Sequence, residues 1–260
     1  GLFVDFHFTE SCEVKYLNIS GNVKAGLFDG NNLVYTTTRN PDTKTGVGSF
    51  AARTANSKGK VTFDQFKLED MDVYGGYMTG GAIGFIDGWN TANARNICFK
   101  NWSTKNVNVL KWVENDGSAG GLVGWNIGYG NLEIGGDGTE DIVKNLKVTT
   151  ISDKYQYAAA GGLVGACDYS NVSINNVNVD NLTVIGTWLR DAGGLIAGGR
   201  NGNGKSVTVT ACRMSNITVM NNQSNTKERC TGGIIGYHNT KLTISDVKLD
   251  KKSTISGRQY

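Results

Sequence analysis

Several groups of residues in this chain have the types and spacing that chemistry uses. Gly199-Arg200-Asn201-Gly202-Asn203-Gly204-Lys205-Ser206 fits G-x-x-x-x-G-K-S, the loop whose backbone N–H groups and following helix N-terminus cradle phosphates. The next residues, Val207-Thr208-Val209-Thr210, read as a strand, so the segment is expected to be a glycine-rich loop without a nucleotide. Gly135-Gly136-Asp137-Gly138-Thr139-Glu140-Asp141 follows part of the calcium nonapeptide G-G-x-G-x-D, with Glu where Asp belongs. Such sites take ligands from tandem copies on successive turns. Asp137, Glu140 and Asp141 are the Ca²⁺ candidates of this chain, with a solvated loop as the plainer expectation; no other cofactor or metal is indicated.

Carboxylates and histidines are less promising. Glycosidases need two acids about 5–9.5 Å apart across a groove, and stacked turns of a solenoid, spaced about 4.8 Å, can supply them. In the alignment described below, Asp70 meets Asn181 and Asn216, while Glu69 meets Asp180 and Ser215 from two or more turns away. Glu114, Asp116, Glu140 and Asp141 fall in loops. With no ladder of acids, the chain leans away from an enzyme. His7 and His238 are the only histidines and are expected at opposite ends of the body, as surface or loop residues. That removes a Ser-His-Asp triad or a two-His metal site.

Aromatic residues are the better binding candidates. Trp89, Trp125, Trp188, Tyr129, Tyr169 and Tyr237 lie near the repeat loops. Aromatic rings give contact area at low entropy cost and suit glycans or proteins; the bland alternative is that they cap the core under loops.

Composition narrows the class. Glycine supplies 36 of 260 residues and proline one, which excludes collagen and proline-rich disorder. Net charge is +3, from 26 basic and 23 acidic side chains. The longest basic cluster, Lys248 to Lys252, is broken by Leu249 and Asp250, so no basic stripe for nucleic acid exists. No apolar run is long enough for a membrane span. The five cysteines, Cys12, Cys98, Cys167, Cys212 and Cys230, are scattered and form no C-x-x-C pair. They read as buried thiols rather than a disulfide or zinc framework. A start at Gly1 with no signal-like stretch reads as a mature chain or a fragment flanked by further domains.

What must position these residues is a repeat. Thr79-Gly80-Gly81-Ala82-Ile83-Gly84 recurs as Ala119–Gly124, Ala160–Gly165, Ala192–Ala197 and Thr231–Gly236, with the first Gly returning after 40, 41, 32 and 39 residues. Degenerate copies stand at Ala25-Gly26-Leu27-Phe28 and Gly46-Val47-Gly48-Ser49-Phe50. A second tract accompanies the motif, with apolar residues at 61/63/66/68/71/73, 172/174/177/179/182/184 and 207/209/212/214/217/219; a fourth keeps 242/244/247/249 and then loses the pattern. Steps of two are short strands with one buried face. Steps of three are corners, where pairs such as Asn175-Asn176 and Ser215-Asn216 tolerate left-handed backbone. The motif glycines predict close backbone approach between stacked copies. Of its two adjacent apolar residues, one is expected to face out under a loop, or the chain to bulge there.

Segments Ala119–Gly124 and Ala160–Gly165, each with an Ile/Val-x-Asn-Val/Cys-x-Val tract, resemble the GLUG motif of bacterial surface and secreted proteins, including non-catalytic parts of IgA-peptidase-type proteins. The resemblance covers roughly residues 75 to 250 and, more weakly, the first 75. It implies a β-helix-like fold and an extracellular or cell-surface bacterial setting; with no H-E-x-x-H in the chain, no protease chemistry comes with it.

The expected fold is all-β: a right-handed parallel β-helix, or β-solenoid, of about six or seven repeats, forming one domain over 1–260. Residues 1–75 are degenerate repeats with an irregular insertion near 29–60, 76–250 are regular repeats, and 251–260 are a tail. Irregular segments at 29–60, 125–141 and 221–230 are the expected contact loops. The leading functional expectation is a non-enzymatic adhesin, stalk or binding scaffold for a glycan or a host or other cell-surface protein. A carbohydrate-active β-helix enzyme is the alternative, and a passive spacer the third reading.

Overall fold

A computed structural model describes residues 1–25, 27–29, 32–34, 46–54, 58–88, 95–112, 117–136, 138–151, 158–187, 191–200, 205–222 and 230–257. Among these, every regular element is a strand, and no helix is long and apolar enough to cross a membrane. The chain winds as a β-solenoid. Four parallel sheets of six, seven, seven and eight strands run along its axis, a depth in keeping with six or seven repeats. One rung shows the pattern: Gly117–Gly120, Val123–Gly128, Asn131–Gly135 and Asp141–Thr150 each join a different sheet. They pair in register with Ala158–Gly161, Val164–Asp168, Asn171–Asn175 and Val177–Thr187 of the next rung.

The apolar tract builds the core. Val61, Phe63, Phe66, Leu68, Met71 and Val73 are buried, as are the matching positions from Val172 to Val184 and from Val207 to Val219. Corners fall where the steps of three put them. Asn176 and Asn216 have φ near +57° and +54°, and Asp70, Asn106, Asn145 and Asn181 share that left-handed backbone. The last four stack as a ladder: Asn106 Nδ2 donates to Asp70 Oδ1 at 2.7 Å, Asn145 Nδ2 to Asn106 Oδ1 at 2.8 Å, and Asn181 Nδ2 to Asn145 Oδ1 at 2.8 Å. The column reads Asp70, Asn106, Asn145, Asn181, Asn216, amides above a single acid. Asn145→Ala keeps neither the side-chain bonds nor easy access to positive φ. It is expected to cost about 1–2 kcal/mol in urea denaturation, with Asn145→Gly recovering the backbone part. Equal stability of the two variants would refute the backbone share.

The motif is a tight arch joining two sheets. A Cβ on Gly80 would lie 2.0 Å from Ile83 O and 2.7 Å from Gly124 N; on Gly81, 1.9 Å from Gly121 O. Close backbone approach is therefore the reason for the glycine pair, as expected. The chain also bulges at the apolar pair. Leu122 N and Val123 N both donate to Leu163 O, and Ala82 N and Ile83 N both to Leu122 O, so Leu122 and Val123 both face inward and are buried.

Several boundaries differ from expectation. Gly46–Val47 and Ala51–Thr54 are ordinary rung strands, so the irregular stretch after residue 29 is shorter than 29–60. Most of 125–141 is also strand, through Gly128 and again over Asn131–Gly135. The copy at Ala25–Phe28 is not a rung: Leu27–Asp29 pairs antiparallel with Asn32–Val34. Thr254–Gly257, expected as tail, resumes pairing with Thr218–Asn221. Residues 223–229 lie outside the described set. At the far end, Leu242 and Ile244 continue the column of Val207 and Val209 yet are 43% and 44% exposed, because no described rung covers them.

Candidate functional site

The two sheets joined by the motif arch hold a seam of their own, separate from the main core. Each rung contributes one residue from the strand before the glycine pair and one from the strand after it. Met78 and Phe85 fill it first, and with Ile127 they form a small buried cluster. Pairing registers place Ser118, Ala159 and Asp191 successively above Met78, and Trp125, Ala166 and Gly198 above Phe85. Side-chain volume thus falls along the axis.

On the outer side of this cluster lies an aromatic strip. Tyr77, Trp125 and Tyr169 pack against it half-buried. Tyr77 and Trp125 stack with ring centroids 6.3 Å apart. Tyr129 stands 6.4 Å from Tyr169 at 38% exposure, and Lys205 Nζ lies 5.3 Å from the Tyr129 ring centroid. Trp125 Nε1 donates to Asp168 Oδ2 at 2.9 Å, which fixes the plane of the indole. Tyr169 takes a φ of +57°, a conformation disfavoured for a bulky side chain, directly after Asp168, which pairs with Ile127 of the rung below.

Of the six aromatic candidates, Trp125, Tyr129 and Tyr169 come together. Tyr237 shares Trp125's column, but Ala166 and Gly198 separate the two. Trp89 and Trp188 lie outside the described residues. Tyr77, Ser118, Asp168 and Asp191 were not singled out by sequence, and Lys205 was named only within the G-x-x-x-x-G-K-S match. Extending the motif alignment one residue upstream would have exposed the unusual Ser118/Ala159/Asp191 column, but nothing in sequence shows that Tyr77 faces Trp125.

The calcium candidates do not form a joint site among the described residues. Asp137 lies outside them. Glu140 is a surface residue with Arg213 Nη1 3.6 Å from its carboxylate. Asp141, expected in a loop, is 0% exposed at the start of a strand. It stands in the column of core Val177, and its Oδ1 accepts from Trp102 N at 2.7 Å. No cluster of three or more His, Cys, Asp or Glu with metal-binding geometry occurs among the described residues. Ser206–Thr210 is a strand, so no helix follows the glycine-rich segment at 199–206.

His238 is a correction: it is half-buried on a strand, not an ordinary surface group. Both His238 Nδ1 and Cys167 Sγ approach the space a Cβ on Gly199 would take, at 2.7 and 3.1 Å. Burial lowers the His238 pKa and pushes the Cys167 thiol far up, and the thiol donates to Gly198 O at 3.3 Å, which disfavours a thiolate there. Burial also raises Cys98, to about 11. None of the five cysteines is in a disulfide; Cys98, Cys167 and Cys212 are buried, while Cys12 and Cys230 are half-buried. His7 pairs with Asp5 at 3.0 Å at the other end of the sheet from His238.

No protein-family model, curated protein or solved structure matches this chain. The fold and the strip must carry the functional reading themselves.

Proposed function

We propose that this chain is a non-enzymatic binding scaffold of the bacterial surface or secreted type, an adhesin-like module that holds a glycan against its aromatic strip. The observation that carries the reading is the run of Tyr77, Trp125, Tyr169 and Tyr129 over neighbouring rungs, with Lys205 at its edge. Sugar rings stack on such faces, and a stacked array offers them at the spacing of the rungs. The extracellular bacterial setting rests on the resemblance of the repeat.

The competing reading is a carbohydrate-active enzyme, and Asp168 and Asp191 are its best support, since they line one cavity. They are 8% and 1% exposed, and the space a water centre can reach there is about 20 Å³. That accommodates one or two waters and no sugar ring, which favours binding over hydrolysis.

A glycan array with the whole chain tests the proposal. Tyr129→Ala should weaken any hit about tenfold, the value of one good aromatic contact, with thermal stability unchanged. Tyr169→Asn, which suits positive φ, should do the same. An array without hits would leave the passive spacer, and unaltered affinity in both variants would move the ligand elsewhere on the molecule.

A further inference from the structure

Where the seam loses its large side chains, a cavity opens. Its walls are Trp125 and the methyls of Ala159 and Ala166, and Gly198 leaves one side bare; its polar lining comes from Ser118, Asp168 and Asp191. Ser118 is 1% exposed, and its Oγ has no hydrogen-bond partner among the described residues. An unbonded buried hydroxyl costs about 1–3 kcal/mol, so a polar occupant of the cavity would be favoured. The side chains facing it supply oxygen alone, with two carboxylates among them. A hard cation takes such ligands, whereas a soft metal requires sulfur or imidazole. The space, about 20 Å³, suits a single ion in place of the one or two waters it could hold.

We propose that Ser118 Oγ and the carboxylates of Asp168 and Asp191 form a site for a hard divalent cation of the calcium class. The three residues come from three successive rungs and from both sheets of the seam, so a bound ion ties the rungs together at a place where Ala159, Ala166 and Gly198 leave little side-chain packing. Trp125 Nε1, at 2.9 Å from Asp168 Oδ2, orients one ligand, a role that outer groups play in metal sites generally. The site is distinct from the 135–141 segment, where Asp141 is turned to the Trp102 amide. It stands whether or not the strip binds a glycan.

The test is terbium titration of the chelator-treated whole chain, exciting tryptophan. Trp125 lies against the site, so sensitised emission should rise and saturate, and Ca²⁺ should displace it. Asp191→Asn should abolish the saturable phase, and Ser118→Ala and Trp125→Phe should each weaken or dim it, Trp125→Phe by about 10–100-fold in affinity if its hydrogen bond positions Asp168. Gly198→Ala, whose methyl would meet Asp191 Oδ2 at 2.8 Å, blocks the cavity without removing a ligand, so it tests the site even if Asp191→Asn does not fold. Calcium should also raise the melting temperature of the unaltered chain and not that of Gly198→Ala. The proposal is overturned if the unaltered chain gives neither saturable emission nor a calcium-dependent melting shift. It is equally overturned if both persist in Asp191→Asn and Gly198→Ala but vanish in Asp137→Asn/Glu140→Gln.

Discussion

Gly120→Ala should unfold the middle of the solenoid. The new methyl would sit 2.1 Å from Val123 O, 2.6 Å from Gly165 N and 2.9 Å from Leu163 O. All three are backbone atoms held in sheet pairing or in the bulge, so none can move without breaking the arch. Overpacking of a site that cannot relax costs about 3 kcal/mol or more. Because each rung is stabilised by its neighbours, the rungs on either side should then melt separately, and urea denaturation should turn from one transition into two. Gly199→Ala is the control. The atoms nearest its methyl would be His238 Nδ1, Cys167 Sγ and His238 Cε1, side-chain atoms that can rotate away, and the loss should be clearly smaller. A similar loss in both variants would mean that the motif glycines serve something other than backbone approach.

Phe63→Ala should be nearly as damaging. Phe63 is fully buried. It stacks on Phe99 with centroids 4.7 Å apart and an interplanar angle of 12°, and meets Phe50 edge-on at 4.9 Å and Phe66 at 5.3 Å. Removing it leaves a cavity across two rungs, expected to cost about 3–5 kcal/mol. Leu242→Ala, in the same sheet but on the exposed end rung, should cost under about 1 kcal/mol, since little surface is withdrawn from water there. Thermal denaturation compares the two, and equal shifts would contradict a core concentrated in the inner rungs.

These residues also show how far sequence alone reaches. The tract at Val172 to Val184 and its relatives could be read as bent strands because period two with steps of three has one physical solution: alternate side chains inward and a corner that only a few residue types tolerate. The glycine pair announced close approach for the same reason, since no other residue lacks a Cβ. Boundaries were harder. Residues 125–141 look irregular because Gly128, Gly130, Gly135, Gly136 and Gly138 crowd the stretch, yet pairing with the rungs above and below makes strands of most of it. Asp141 was unreadable as a core residue, because its burial depends on an amide 39 positions away in sequence.

The candidate sites divide along the same line. Periodicity and composition determined by themselves that the chain is a parallel β-solenoid and that the aromatic residues near the motif merited attention. Local spacing encodes these properties, as each rung repeats the same local problem. Only the tertiary structure decided that Tyr77 stacks on Trp125, that Tyr237 stands apart from it, and that Ser118, Asp168 and Asp191 line one cavity. Those contacts join residues tens of positions apart, through a register that depends on the length of every loop between them. They depend as well on how the volumes of neighbouring rungs add: a seam filled by Met78 and Phe85 and left open by Ala159, Ala166 and Gly198 is a property of the stack, visible in no single repeat.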